Sequence, residues 1–220
     1  MSLGLEQAGF DPIFVNELNK DALESYLLNR ELEHPHLRED IFHCNDVKDL
    51  VLKKSRFNDI KRELKNQLGI DVKNGELDLL VGGPPCQGYS GIGHRRSYSV
   101  DKEQLPSNHL FEDMAYVVAA LKPKIFLFEN VKGLLSAKWT GAGTKGEIWD
   151  DVFATFNSLK DYEVNFSLVK AKDYGVAQNR PRVLLVGIRK DILQKASSVI
   201  QGDVAGGFLP NATGGAIDLI

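Results

Sequence analysis

Cys86 lies in Val81-Gly82-Gly83-Pro84-Pro85-Cys86-Gln87-Gly88-Tyr89-Ser90, where an apolar run ends, and it is one of two cysteines in 220 residues. Two glycines let the backbone come close to a ligand, and two prolines stiffen the turn that presents the thiol. A thiolate is a good nucleophile where local dipoles or cations lower its pKa; elsewhere a lone cysteine is commonly buried and inert. A second chemical group is Glu129, in Phe128-Glu129-Asn130-Val131. A carboxylate at the end of a buried strand is costly unless it is paired or used. It could hydrogen-bond a ring nitrogen of a substrate, act as an acid, or cap a helix. A third group is Gln178-Asn179-Arg180-Pro181-Arg182, just ahead of the apolar run Val183–Ile188. Two arginines at alternate positions can point to one side and offer planar donors to a carbonyl or phosphate. Standing alone, they would read as a solvated basic turn.

The elements that must position these groups follow from hydrophobic periodicity. Strands are expected at Ile13–Val15, Ile41–Cys44, Leu77–Val81, Ile125–Glu129, Val164–Val169 and Val183–Ile188, and helices at Asp21–Asn29, Phe57–Leu68, Leu110–Leu121 and Trp149–Leu159. In the third helix Leu110, Met114, Val117, Val118 and Leu121 recur at helical steps. Leu77–Val81 and Ile125–Phe128 are near-continuous apolar runs, as in strands covered on both faces. Strand–helix alternation predicts an α/β fold with a mainly parallel sheet and helices on both faces. Ligands bind at the carboxyl ends of such strands. Glu17, Asp46, Cys86 and Glu129-Asn130 all fall at expected strand ends, so they are expected on one edge of one sheet.

Composition narrows the function classes. With 43% hydrophobic and 26% charged residues the chain is ordinary for a globular protein, and its net charge of −3 excludes a purely electrostatic nucleic-acid coat. No apolar run has the length of a membrane span, and the first residues lack the features of a secretory signal. Two cysteines make no disulfide framework, which suits a reducing, cytoplasmic setting. Two motifs are weighed as decoys. Gly141-Ala142-Gly143-Thr144-Lys145-Gly146 matches a dinucleotide fingerprint literally but has no strand directly before it. His34-Pro35-His36 with Cys44 lacks a second ligand pair at zinc spacing, so no metal is expected. Phe126 and Phe128 alternate on one strand and read as core.

Taken together, the ordered motifs resemble those of the C5-cytosine DNA methyltransferases of the bacterial modification type. Gly83–Ser90 resembles the nucleophile motif, Glu129-Asn130-Val131 the glutamate motif, and Gln178–Arg182 the Gln-x-Arg-x-Arg motif. Glu17 falls at the family's ribose-binding acid, and Asn45-Asp46-Val47 at the segment whose Asp contacts the adenine amino group. Ser107–Phe111 resembles the segment whose Leu, here Leu110, packs on the cofactor.

The resemblance implies a Rossmann-like S-adenosylmethionine-dependent methyltransferase fold and methyl transfer to C5 of a flipped-out cytosine, with S-adenosylhomocysteine as product. It assigns Cys86, Glu129, Arg180 and Arg182 to catalysis. Glu17, Leu18, Asp46, Val47, Pro85 and Leu110 go to the cofactor. Pro84, Gln87, Ser90, Arg95, Arg96, Asn130 and Gln178 go to the base and the DNA. Double-stranded DNA is the implied partner, for a monomer in the bacterial cytoplasm or nucleoid, and a cognate restriction endonuclease fits the same family. The glycines and arginines of Gly91–Arg96 suit a closing loop that grips phosphates.

The family's Phe-x-Gly-x-Gly turn, its target-recognition domain and its last two motifs have no counterpart in the sequence. The expectation is a partial catalytic domain over residues 1–200, first strand missing, with 201–220 leading into the target-recognition region. Such a chain should bind the cofactor poorly and have little activity alone. Two rivals remain: a methyltransferase acting on tRNA, and a catalytically silent nucleic-acid-binding remnant of the same fold.

Overall fold

The computed structural model describes residues 1–85, 106–196, 208–209 and 211–212. The chain forms two compact units, Met1–Glu76 and Leu77–Ile220.

The first unit contains α1 (Ser2–Gln7), β1 (Val15–Asn16), α2 (Lys20–Leu28), β2 (His43–Cys44), α3 (Lys48–Leu52) and α4 (Lys54–Leu68). β1 and β2 pair in parallel, with Val15 opposite His43 and Asn16 opposite Cys44. The Asn16 amide reinforces this short pair by donating to the carbonyls of Cys44 and Asn45 at 3.0 and 2.9 Å. α2 starts at Asn19, whose side chain accepts from the N–H groups of Asp21 and Ala22. α4 buries Phe57, Ile60 and Leu64 along one stripe and stops at Gly69, whose φ of +73° suits a residue without Cβ. Arg30 joins α1 to α2 through a 2.7 Å ion pair with Glu6 and lies over the Tyr26 ring.

The second unit contains β3 (Leu79–Gly82), α5 (Leu110–Leu121), β4 (Ile125–Val131), α6 (Glu147–Asn157), β5 (Tyr162–Lys170), β6 (Pro181–Arg189) and α7 (Lys190–Ala196). Its sheet runs β3-β4-β6-β5. Burial alternates along β4, with Phe126, Phe128 and Asn130 inward and Glu129 half-exposed on the other side. Phe126 and Phe128 meet Phe156 of α6 at 5.3 Å between ring centres, and Met114 and Val118 of α5 join the same core. Each buried ring contributes about 1.5–3 kcal/mol relative to exposure. The packing is close enough that a Cβ on Gly187 would run into the Phe126 ring.

All six expected strands and all four expected helices form, but the sheet differs from expectation. The described strands make two sheets rather than one. Two pairings, β1–β2 and β3–β4, are parallel, and two, β4–β6 and β5–β6, are antiparallel, so the described sheet is mixed rather than mainly parallel. The reason is the connection. β3 reaches β4 through α5, a helical crossover, whereas β5 reaches β6 through residues 171–180, which hold only a single 3-10 turn, so the chain folds straight back. Boundaries also move by a few residues, two of them at the site. β4 continues through Glu129 and Asn130 to Val131, and β6 begins at Pro181. Proline is tolerated there because the first position of a strand can do without an N–H.

The Gly141–Gly146 decoy is a helix lead-in. Gly146, at φ +94°, precedes α6, and the Glu147 carboxylate folds back to accept the N–H groups of Trp139 and Thr144 at 2.5 and 2.7 Å. A Cβ on Gly143 would collide with that carboxylate. The Thr144 and then the Trp139 N–H bonds hold the Glu147 carboxyl below its usual range. A depressed folded-state pKa gives stability that is present above the unfolded value and lost as pH falls through the folded one. Glu147→Gln should therefore melt a few degrees below wild type at about pH 7, and the gap should close on acidification below about pH 4. Thermal melts across pH check this, and a gap unchanged down to about pH 2 contradicts it.

Candidate active site

In the second unit three chain segments converge on one end of the sheet. β3 and β4 are parallel, with Gly82 opposite Phe128, so Gly83-Pro84-Pro85 and Glu129-Asn130 leave at the same end. β6 runs the other way and enters there, with Val131 opposite Arg182. Glu129 and Arg182 share the half-exposed face, and Arg182 Nε lies 2.7 Å from Glu129 Oε1. Its N–H is not aligned for a hydrogen bond, so the contact is a close ion pair. Arg182 Nη1 donates to the Pro181 carbonyl at 2.8 Å. The sequence placed Glu129 and Arg182 at one site, and the structure brings their side chains into contact. Arg180 and Gln178 are exposed, and their backbones form a turn in which Arg180 N–H donates to Gln178 O at 3.0 Å.

Asn130 takes a different place from the one expected. It is buried, 6% exposed, on the inward face of β4. Its Nδ2 donates to the Pro84 carbonyl at 3.2 Å, and its Oδ1 accepts the Val131 N–H at 2.8 Å. The residue read as a DNA contact thus fastens the turn that precedes Cys86. The signal was present in the sequence: alternation along a strand puts Asn130 on the face of Phe126 and Phe128, and a buried amide must find partners. Pro84 is half-buried and Pro85 exposed. Between Pro84, Asn108, Phe111 and Asn130 the gap is only about 10 Å³, room for about one water. Cys86, Gln87, Ser90, Arg95 and Arg96 lie outside the described residues.

In the first unit the parallel β1–β2 pair brings Glu17 and Asp46 to one end. Glu17 is half-buried; its Oε1 accepts the Asn19 N–H at 2.9 Å, and its carbonyl accepts from the Asn45 amide at 3.1 Å. Asp46 is exposed, with Oδ1 accepting the Lys48 N–H. Each carboxylate has one oxygen committed to the backbone and makes no other hydrogen bond among the described residues. The arrangement can accept hydroxyl or amino protons from a ligand. Leu18 is 72% exposed, an apolar side chain at a strand end. Val47 and, in the second unit, Leu110 are half-buried.

Cys44, the other cysteine, is buried against the Asn16 amide, and burial pushes its thiol pKa up to about 11. That leaves it protonated and poorly nucleophilic. His36 is held at 3.1 Å from the Pro12 carbonyl and edge-on to Phe42. A cleft of about 340 Å³ in the second unit lies elsewhere. It runs between α5 and α6, where the His109 and Trp139 rings stack at 4.9 Å, with Glu112 and Asp151 beside them. His109 and Phe111 of the Ser107–Phe111 segment line it, but none of the residues assigned to catalysis, cofactor or DNA does.

A model of the C-5 cytosine-specific DNA methylase family matches residues 1–206. The Type II methyltransferase M.FnuDI of Fusobacterium nucleatum is 34% identical over 192 residues, covering 87% of this chain and 44% of the relative. M.NgoPII of Neisseria gonorrhoeae is 33% identical over 199 residues, covering 90% and 47%. The chain spans less than half the length of these curated relatives. A solved structure assigned as a DNA modification methyltransferase encoded within an E. coli prophage matches at a TM-score of 0.56 and 26% identity, over 87% of this chain and 44% of that one. The S. pombe Dnmt2 methyltransferase, at 17% identity and a TM-score of 0.51 over 93% and 52%, supports the fold alone. The fold is therefore the Rossmann-like methyltransferase fold, and the chain belongs to the C-5 cytosine-specific DNA methylase family.

Proposed function

We propose that this chain carries the catalytic core of an enzyme that moves a methyl group from S-adenosylmethionine to C5 of cytosine in duplex DNA. The observation that carries this reading is the contact of Glu129 with Arg182, beside a turn that Asn130 holds just ahead of Cys86. Family membership and Type II methyltransferase relatives support the same reading.

C5 of cytosine is a poor nucleophile, so the ring must first be activated. In this mechanism the Cys86 thiolate forms a bond to C6, and the C5–C6 π electrons shift towards N3 and O2. Glu129 hydrogen-bonds N3 and the exocyclic amine, and Arg182 donates to O2, so charge developing on the ring meets preorganised partners. Arg180 supports that edge of the pocket. S-Adenosylmethionine, when bound, supplies the methyl group as an electrophile. Glu17, with one carboxylate oxygen uncommitted, suits the ribose hydroxyls, and Asp46 suits the adenine amine, with Leu18 and Val47 as apolar neighbours in sequence; Pro85 and Leu110 keep the cofactor role that the family resemblance gives them. Loss of the C5 proton to a base then returns the electron pair to the ring, and the bond from Cys86 to C6 breaks. The ring is out of reach inside a duplex, so the base leaves the stack at a cost of a few kcal/mol. Pro84, Gln87, Ser90, Gln178 and the Arg95-Arg96 pair serve the flipped base and its flanking phosphates. In this reading the full-length enzyme is a monomer of the bacterial cytoplasm, paired with an endonuclease of the same recognition site.

The test uses the full-length protein, S-adenosylmethionine and duplex DNA carrying 5-fluorocytosine, whose C5 substituent cannot leave as a proton. A denaturation-resistant adduct is expected, and Cys86→Ala should abolish it. An adduct on RNA alone, or on neither substrate, contradicts the reading. Glu129→Gln should slow methylation by roughly 10²–10³-fold, with the Kd for DNA nearly unchanged; parallel loss of both argues against its role on the ring. Asn130→Ala should lower kcat by about 10–100-fold with KM little altered, because it frees the Pro84 carbonyl rather than a substrate contact. Steady-state kinetics and a melting curve check this, and an unchanged kcat contradicts it.

A further inference from the structure

The two ends of the four-stranded sheet treat their cations differently. At the end away from Glu129, Lys122, Lys124 and Arg189 pair with Asp161, Asp78 and Asp191 at 3.0, 2.6 and 2.6 Å; Lys160 and Lys190 there are exposed and make no ion pair among the described residues, but each stands next in sequence to one of those aspartates and away from the Glu129 site. At the Glu129 end, Lys132, Lys170, Lys172 and Arg180 make no ion pair among the described residues, and Arg182 alone is neutralised, by Glu129. The acid nearest this group in sequence is Asp173, which makes no ion pair there either. Backbone pairing holds these cations together. Lys170 stands opposite Pro181 in the β5–β6 register, and Ala171 N–H donates to the Arg180 carbonyl at 3.4 Å. Lys132 follows Val131, whose partner is Arg182. β6 separates β4 from β5, so Lys132 and Lys170 are about two strand spacings, roughly 10 Å, apart. Lys132, Lys170 and Arg180 are exposed, and Lys172 is half-exposed. This rim is positive in a chain whose net charge is −3.

We propose that Lys132, Lys170 and Lys172, with Arg180, form a rim that grips the phosphate backbone of duplex DNA beside the site. The proposal rests on the function proposed above and extends it to three lysines that no sequence motif marked. Holding a duplex while one base leaves the stack requires backbone contacts that carry no sequence information. Exposed cations without acid partners supply them by releasing counterions from the DNA. The paired cations at the opposite end cannot do so without first giving up their aspartates.

The experiment measures the salt dependence of duplex-DNA binding by the full-length protein. Lys170→Ala with Lys172→Ala should flatten the slope of log K against log salt by about 2 and weaken binding roughly tenfold or more at about 0.1 M salt. The loss should be similar on unrelated sequences. Lys160→Ala with Lys190→Ala, at the far end, should leave the slope unchanged. An unchanged slope in the rim variant, or the same change in both variants, overturns the rim. Should the alanine variant melt well below wild type, Lys170→Gln with Lys172→Gln keeps part of the side-chain stem and must give the same slope. The 5-fluorocytosine adduct separates the two proposals. Adduct formation by wild type with a rim variant of unchanged slope overturns the rim alone. No DNA adduct, or rim-dependent binding to RNA only, overturns the reading on which it rests.

Discussion

A strand has two faces, and the site in the second unit depends on how β4 uses both. Phe126 and Phe128 point into the core beneath α5 and α6 and anchor the strand. Asn130, two residues on, continues on that inward face, where an amide without partners would be costly. It satisfies itself on the Pro84 carbonyl and the Val131 N–H. Glu129, between the two inward residues, is thereby committed to the opposite, half-exposed face. One alternation thus fixes both the turn before Cys86 and the direction of the carboxylate.

β6 completes the arrangement because it is antiparallel to β4. A parallel neighbour would bring its carboxyl end beside Glu129, whereas β6 brings its first residues. Arg182, remote in sequence, arrives opposite Val131 and reaches Glu129. The guanidinium and the carboxylate offset one another's desolvation on a partly buried surface, and the arginine retains donors for a further acceptor. The same reversal brings Lys170 and the turn after it to this end of the sheet, so the ion pair and the basic rim share one topological cause.

The two decoys show how context overrides a pattern. A glycine-rich loop ahead of a helix can cradle a phosphate, but here the Glu147 carboxylate already accepts the Thr144 N–H of that loop and the Trp139 N–H ahead of it. Cys44 is a cysteine at a strand end, as Cys86 is expected to be, yet burial keeps its thiol protonated against the opposing pull of the Asn16 amide that donates to it. Residue type and spacing nominate a group, and its surroundings decide whether it can react.

Hydrophobic periodicity located the six strands and the helices α2, α4, α5 and α6, because period and apolar content are local properties, whereas the short α3 and α7 gave no such signal. The identities of Glu129, Arg182, Glu17 and Asp46 as candidates were equally legible, because their motifs are short and ordered along the chain. Several features were left to tertiary structure. The antiparallel course of β6 was not readable, since a connection of residues 171–180 does not state which neighbour its strand will join. Asn130 had a readable face but no readable partner, because Pro84 is distant in sequence. Lys132, Lys170 and Lys172 are unremarkable in the sequence, and what sets them apart is the strand pairing that gathers them beside Glu129 and Arg182 without ion pairs among the described residues. Local chemistry is written in residue order, whereas pairing partners depend on which distant strands share a sheet, and no short window of sequence contains that information.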